Sequence, residues 1–231
     1  RAHRDRRRRR QRPGAQALAG VQGIEHPELG TDPAEYPVEA AYRDSRINRI
    51  FEGTNEVNRL LTSGQLLKRA MQGRLDLMSA VQAAAAGSPH APDESVPEAL
   101  RSADTAVANL KSAVLVVAGA AVMAWMQKVE EEQEVMARVA DMIGLVYLAE
   151  SGLLRAAAGA EDAPGVMLAR LYAFGAVDRA RQLAAEVLRR IPGGSAHSAR
   201  VGSYLADHGV DLIGLRRSIA DLALEQGGYL A

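Results

Sequence analysis

Through the second half of the chain, apolar residues recur at alternating steps of three and four. Leu100, Ala103, Val107, Leu110, Val114, Val117 and Ala121 make one such series, and Val135, Val139, Met142, Val146, Ala149 and Leu153 make a second. This spacing places each series along one face of an α-helix, as the seam of a bundle requires. A third, Ala-rich series follows Pro164, with Ala173, Ala176, Ala180, Leu183 and Val187, and Pro192-Gly193-Gly194 stops it. A fourth runs from about Asp211 through Leu212, Leu215, Ile219 and Leu222. Short connections favour antiparallel neighbours, so the pattern predicts an up-and-down four-helix bundle over residues 97–231. No stretch reads as a strand of convincing length, and no fixed-period repeat is present. The predicted class is all-α.

A second helical region covers residues 35–86. Val38 to Ile50 reads as a helix with Ala41, Ile47 and Ile50 near one face. Glu52-Gly53-Thr54 interrupts it, because Gly53 frees the backbone and Thr54 or Asn55 can cap a new helix. That helix carries Val57, Leu60 and Leu61. Gly64 is expected to break or bend it before a run with Leu66, Leu67, Ala70 and Met71, which Gly73 ends. A last short helix spans Leu75 to Ala86. Turn formers fill the linker, residues 87–96, and Ser95 with Glu98 has the spacing of a capping box, with Pro97 in the first turn. Residues 1–34 read as a poorly anchored head, since Arg6 to Arg10 repel one another and Gly and Pro recur from Pro13 to Pro33.

Composition agrees with helix: 48% of residues are hydrophobic and only 4% aromatic. There is no Cys, which removes disulfides, thiolate catalysis and Cys-based zinc sites and suits a cytoplasmic protein. The formal net charge is zero, although eight Arg fall in the first twelve residues. Without interleaved aromatics or a recognisable nucleic-acid fold, that basic head does not read as a nucleic-acid site. The five His show no ligand-like pairing, so no metal is expected. Ala113 to Met126 is almost wholly apolar but shorter than the roughly 20 residues a spanning helix needs, so it reads as a buried bundle helix. Trp125 and Lys128 at its end would suit a membrane interface.

The chemistry is concentrated around residue 52. Abstracting a proton beside a thioester carbonyl needs a base held against the substrate. A carboxylate in water is too weak, so burial has to raise its proton affinity. Glu52 follows Ile50 and Phe51, which could desolvate it, and Gly53 leaves room for a ligand to approach the backbone. Thr54, Asn55 and Glu56 offer hydroxyl, amide and carboxylate groups to a ribose or phosphate edge. Arg43, Asp44, Arg46 and Arg49 read more simply as a solvated helix face with local ion pairs. Taken alone, Glu-Gly-Thr between two helices could be only a turn and a cap.

The flanking residues change that. Arg43-Asp44-Ser45-Arg46-Ile47 leading into Glu52-Gly53-Thr54-Asn55-Glu56, continued by Gln65 to Gly73, closely resembles the acyl-CoA dehydrogenase family. The resemblance is strong over residues 36–73 and looser over 97–231, where it rests on position and helix pattern. It points to the long-chain and very-long-chain branch, whose members carry a helical C-terminal extension. It implies that residues 35–86 are the end of the catalytic helical domain and that 97–231 are the extension. It further implies FAD as cofactor and Glu52 as the acceptor of the α-proton of a fatty acyl-CoA, with the β-hydrogen leaving as hydride. Gly53 matches a substrate-contacting position; Thr54, Asn55 and Glu56 match FAD contacts.

Through the same resemblance, fatty acid β-oxidation, an electron acceptor of the electron-transfer-flavoprotein type, homo-oligomerisation and peripheral contact with a membrane are expected. The family also uses an N-terminal helical domain and a middle β domain that these residues do not supply, so the chain alone is expected to be inactive. The competing reading is a non-catalytic helical module for interaction or oligomerisation, or a degenerate remnant.

Overall fold

The computed structural model describes residues 38–159 and 164–227. The Arg-rich head and Tyr36-Pro37 lie outside the described residues. Among the described residues all regular structure is helical: α1 Val38–Ile47, α2 Asn55–Met71, α3 Leu77–Ala86, α4 Glu98–Trp125, a 3₁₀ turn Met126–Glu131, α5 Gln133–Ala157, α6 Pro164–Arg190, α7 Ser195–Tyr204 and α8 Leu212–Gln226. The chain divides into two compact units, residues 1–58 and 59–231.

The larger unit is built on α4, α5 and α6, which pack on one another in pairs. All seven residues of the first apolar series are buried, with Ala103, Leu110 and Val117 at 0% exposure. The third series is also buried throughout, and the second is buried except for Val146, which is partly buried against the core. Burying a Leu or Val side chain contributes about 1.5–3 kcal/mol, so these stripes supply most of the driving force for the unit. The run from Glu98 to Glu131 is apolar enough and long enough to cross a membrane, but about half of its apolar window is buried in this core.

Shorter helices close the bundle. α3 lies on α4 at a close crossing: a Cβ on Gly119 would stand 2.3 Å from Val81 Cγ1. The buried Tyr204 hydroxyl of α7 donates to the Ala84 carbonyl at 2.8 Å, and Arg200 donates to the Gly87 carbonyl. Arg181 of α6 donates to the carbonyls of Leu205 and Ala206 beyond the end of α7, at 2.9 and 3.1 Å. The segment between α3 and α4 is pinned to α4, where the His90 N–H donates to Asn109 Oδ1 at 2.8 Å and its ring lies 2.9 Å from the Ser112 hydroxyl.

Several local expectations are corrected. α2 runs unbroken through Gly64, because a helix interior tolerates one Gly at a cost of about 1 kcal/mol. The capping box does not form: α4 starts on Pro97 with no side-chain cap, and the Ser95 hydroxyl and N–H both donate to Asp93 Oδ1 at 2.7 and 2.8 Å. Those two bonds, the hydroxyl one first, hold the Asp93 carboxyl below its ordinary pKa. α7 falls in a region where no helix is expected. The fourth predicted bundle helix exists as α8, but none of its residues is fully buried, and it rests on α6.

Candidate functional site

The candidate site lies in the smaller unit, at the turn between α1 and α2. α1 ends at Ile47, where the N–H groups of Ile50 and Phe51 both donate to its carbonyl, at 2.8 and 3.1 Å. The Asn55 N–H then donates back to the Arg49 carbonyl at 3.1 Å, closing residues 49–55 into a tight loop. At its apex Glu52 has φ 55° and Gly53 has φ 94°. Gly adopts such a conformation freely, whereas a left-handed non-Gly residue costs about 1–2 kcal/mol. A Cβ on Gly53 would also approach Asn58 Oδ1 to 3.0 Å, a tight contact that adds to the strain of the positive φ.

Of the two expected caps, Thr54 is the one the structure uses. Its Oγ1 accepts the Val57 N–H at 3.3 Å, and its carbonyl accepts the Asn58 N–H at 2.9 Å. A second tie was not foreseen from the sequence: Asn58 Nδ2 donates to the Gly53 carbonyl at 2.8 Å. The only hint in the sequence is a short polar side chain in the first turn of a helix that follows a Gly, which many helices share.

The five predicted site residues are contiguous on this turn. Glu52 and Gly53 are exposed, Thr54 and Asn55 are half-buried, and Glu56 is exposed. Ile50 and Phe51 are 63% and 50% exposed, so they do not cover Glu52 as expected. Tyr42 to Ile50 is exposed throughout, and Arg46 bonds to the Tyr42 hydroxyl at 3.3 Å, in keeping with a solvated helix face. Among the described residues, no group of three or more His, Asp or Glu is arranged to hold a metal.

The polar set fits part of a dinucleotide. The Thr54 hydroxyl and Asn55 carboxamide can bond either a ribose hydroxyl or a phosphate oxygen, at a helix N-terminus whose dipole favours an anion. The Glu56 carboxylate accepts from a ribose hydroxyl and repels a phosphate.

The all-α fold matches that of the acyl-CoA dehydrogenase C-terminal domain. Two family patterns carrying that description match the chain, one over residues 109–201 and the other over residues 14–67, which contain the Glu52 turn.

Particular relatives sharpen this. A "Probable acyl-CoA dehydrogenase" of Bacillus subtilis is 42% identical over 138 residues, which are 56% of this chain and 23% of the relative. The bovine mitochondrial "Short-chain specific acyl-CoA dehydrogenase" is 56% identical over 34 residues, 15% of this chain and 8% of that protein. Among solved structures, an acyl-CoA dehydrogenase complexed with FAD from Bacillus anthracis superposes with a TM-score of 0.74 at 30% identity, covering 84% of this chain and 34% of that one. The chain therefore spans between about a tenth and a third of the length of these relatives.

Proposed function

We propose that the chain is the catalytic end of an FAD-dependent acyl-CoA dehydrogenase, with Glu52 as the base. The observation that carries this reading is the Glu52 turn itself, a strained left-handed carboxylate between two helices, inside a stretch matched by the family pattern. In the proposed reaction Glu52 takes the α-proton of a fatty acyl-CoA thioester. The β C–H bond breaks with its electron pair leaving as hydride, and the α,β double bond forms. FAD, when bound, supplies the acceptor for that hydride. Thr54, Asn55 and Glu56 hold a ribose or phosphate edge of the cofactor, and Gly53 lets the substrate approach the backbone. Because Glu52 is exposed in the chain, its desolvation is assigned to the substrate and cofactor that cover it.

The same reading assigns residues 35–86 to the catalytic helical domain and 97–231 to a C-terminal extension of the long-chain type. It includes fatty acid β-oxidation, a flavoprotein electron acceptor, a homo-oligomer, and a cytoplasmic location with peripheral membrane contact. The chain alone is proposed to be inactive.

A second reading, a helical interaction module, draws support from the exposed apolar residues Ile47, Ile50, Phe51 and Val57 of the smaller unit. In the larger unit Leu67, Met71, Leu75, Met78, Val122 and Met123 also line an apolar cavity of about 440 Å³. Glu52 separates the two readings. Residues 38–231 are grafted in place of the structurally equivalent stretch of the Bacillus anthracis acyl-CoA dehydrogenase, which superposes on 84% of this chain, and acyl-CoA-dependent dye reduction is followed. Glu52→Gln is expected to lower turnover by about 10²–10⁴-fold with unchanged folding, the range for loss of a general base. Activity that survives the substitution sinks the assignment.

A further inference from the structure

The Glu52 turn is shaped by a residue that takes no part in the proposed proton transfer. We propose that Asn58 is a positioning residue for Glu52, an inference that rests on the reading of Glu52 as the base. Asn58 sits in the first turn of α2, six residues on from Glu52. Its side chain touches the apex in two ways. Nδ2 donates to the Gly53 carbonyl at 2.8 Å. Oδ1 lies over the Gly53 α-carbon, 3.0 Å from where a Cβ would stand. The carbonyl can only accept, so the nitrogen has to face it, which fixes the orientation of the carboxamide.

The Gly53 carbonyl reports the ψ of the most flexible residue in the turn. With φ 55° and 94° at consecutive positions, the turn depends on Gly53 remaining in a region that a free Gly leaves readily. Rotation about that ψ turns the peptide joining residues 53 and 54 against the one joining residues 52 and 53, and so re-aims the Glu52 side chain. The Asn55 N–H to Arg49 carbonyl bond closes the loop at its base. Asn58 ties the apex to the first turn of α2, where its own N–H is held by the Thr54 carbonyl at 2.9 Å. A base displaced by about 1 Å from its proton can lose on the order of 10²-fold in rate, so the tie bears on turnover more than on binding.

Asn58→Leu keeps the approximate size and removes the donor, whereas Asn58→Gln restores one on a longer arm. In the full 231-residue chain, NMR reads the strong intraresidue HN–Hα contact that a positive φ gives Glu52. The contact is expected to weaken in Asn58→Leu and to return at least in part in Asn58→Gln, with α2 helicity unchanged in both. A Glu52 signature that persists unaltered in Asn58→Leu overturns the proposal, as does one lost together with the helix. In the graft, Asn58→Leu is expected to lower kcat by about 10- to 100-fold with KM for acyl-CoA within about threefold, and Asn58→Gln to recover part of it. Equal loss in kcat and 1/KM, or none, overturns it. These outcomes are separate from the fate of the base assignment: a graft active as Glu52→Gln refutes that assignment, while the NMR contact still reports whether Asn58 holds the turn.

Discussion

Leu110 and Glu52 are held in place by different means. Leu110 is fully buried in a core shared by three long helices, and its position follows from packing on every side. Glu52 is exposed, and its position follows from a few hydrogen bonds that fix the backbone around it. A site fixed by packing resists any single loss because many contacts remain. A site fixed by backbone bonds holds its strained conformation only as far as those few bonds over-determine it. The difference suits the proposed role, in which the larger unit supplies stability and the turn presents a reactive group.

That contrast predicts a descending series of effects, and the largest is in the core. Leu110→Ala removes a side chain with no exposed surface and leaves a cavity, so urea unfolding of the full chain is expected to lose about 2–5 kcal/mol. A loss below about 1 kcal/mol would mean that the core collapses around the gap and is not tightly packed.

Next comes Tyr204→Phe. It removes the donor to the buried Ala84 carbonyl and is expected to cost about 1–3 kcal/mol in the same measurement, through one unsatisfied polar group. An unchanged unfolding midpoint would show that water reaches that carbonyl.

The helices of the larger unit were legible in the sequence to the degree that burial shaped them. The stripes through Leu110, Met142 and Leu183 each bury a continuous face, so period and core coincide. α7 was missed for the converse reason: of its ten residues, Val201 and Tyr204 are buried, too few to set a period. Gly64 misled because propensity is weak beside the rest of a 17-residue helix. Ser95 misled because Asp93, two residues earlier, offers its hydroxyl and N–H a nearer partner. At the site, the motif indicated which residues gather. It did not reveal the left-handed backbone at Glu52, the Asn58 tie, or the exposure of Ile50 and Phe51, because these depend on how the turn closes in space.

A smaller and local effect is expected at the turn. Thr54→Ala removes the acceptor for the Val57 N–H and is expected to cost about 1 kcal/mol of helix stability, within a range of about 0.5–2. Amide exchange should speed up at Glu56 and Val57 while the amides around Leu110 keep their protection. Faster exchange throughout the core would contradict the division between the two regions.

The smallest effect concerns charge just beyond α7 in the larger unit. Asp207 accepts the Gly209 N–H at 3.0 Å, and that bond, helped by the nearby His208 and Arg181, holds its carboxyl below its ordinary pKa. A carboxyl lowered in the folded state binds its proton more readily when unfolded, so it favours the fold above its ordinary pKa and loses that contribution as pH falls through the folded value. Asp207→Asn keeps an oxygen for the Gly209 N–H but removes the charge. Its urea midpoint is therefore expected to lie slightly below that of the parent chain at neutral pH, and the two should converge once the pH has fallen through the lowered pKa of the folded carboxyl. Because Asp207 is exposed, the gap should also shrink with added salt, which screens the His208 and Arg181 share and leaves the hydrogen bond. A gap that widens on acidification would place the titration with the opposite sign and assign the acid response to another group.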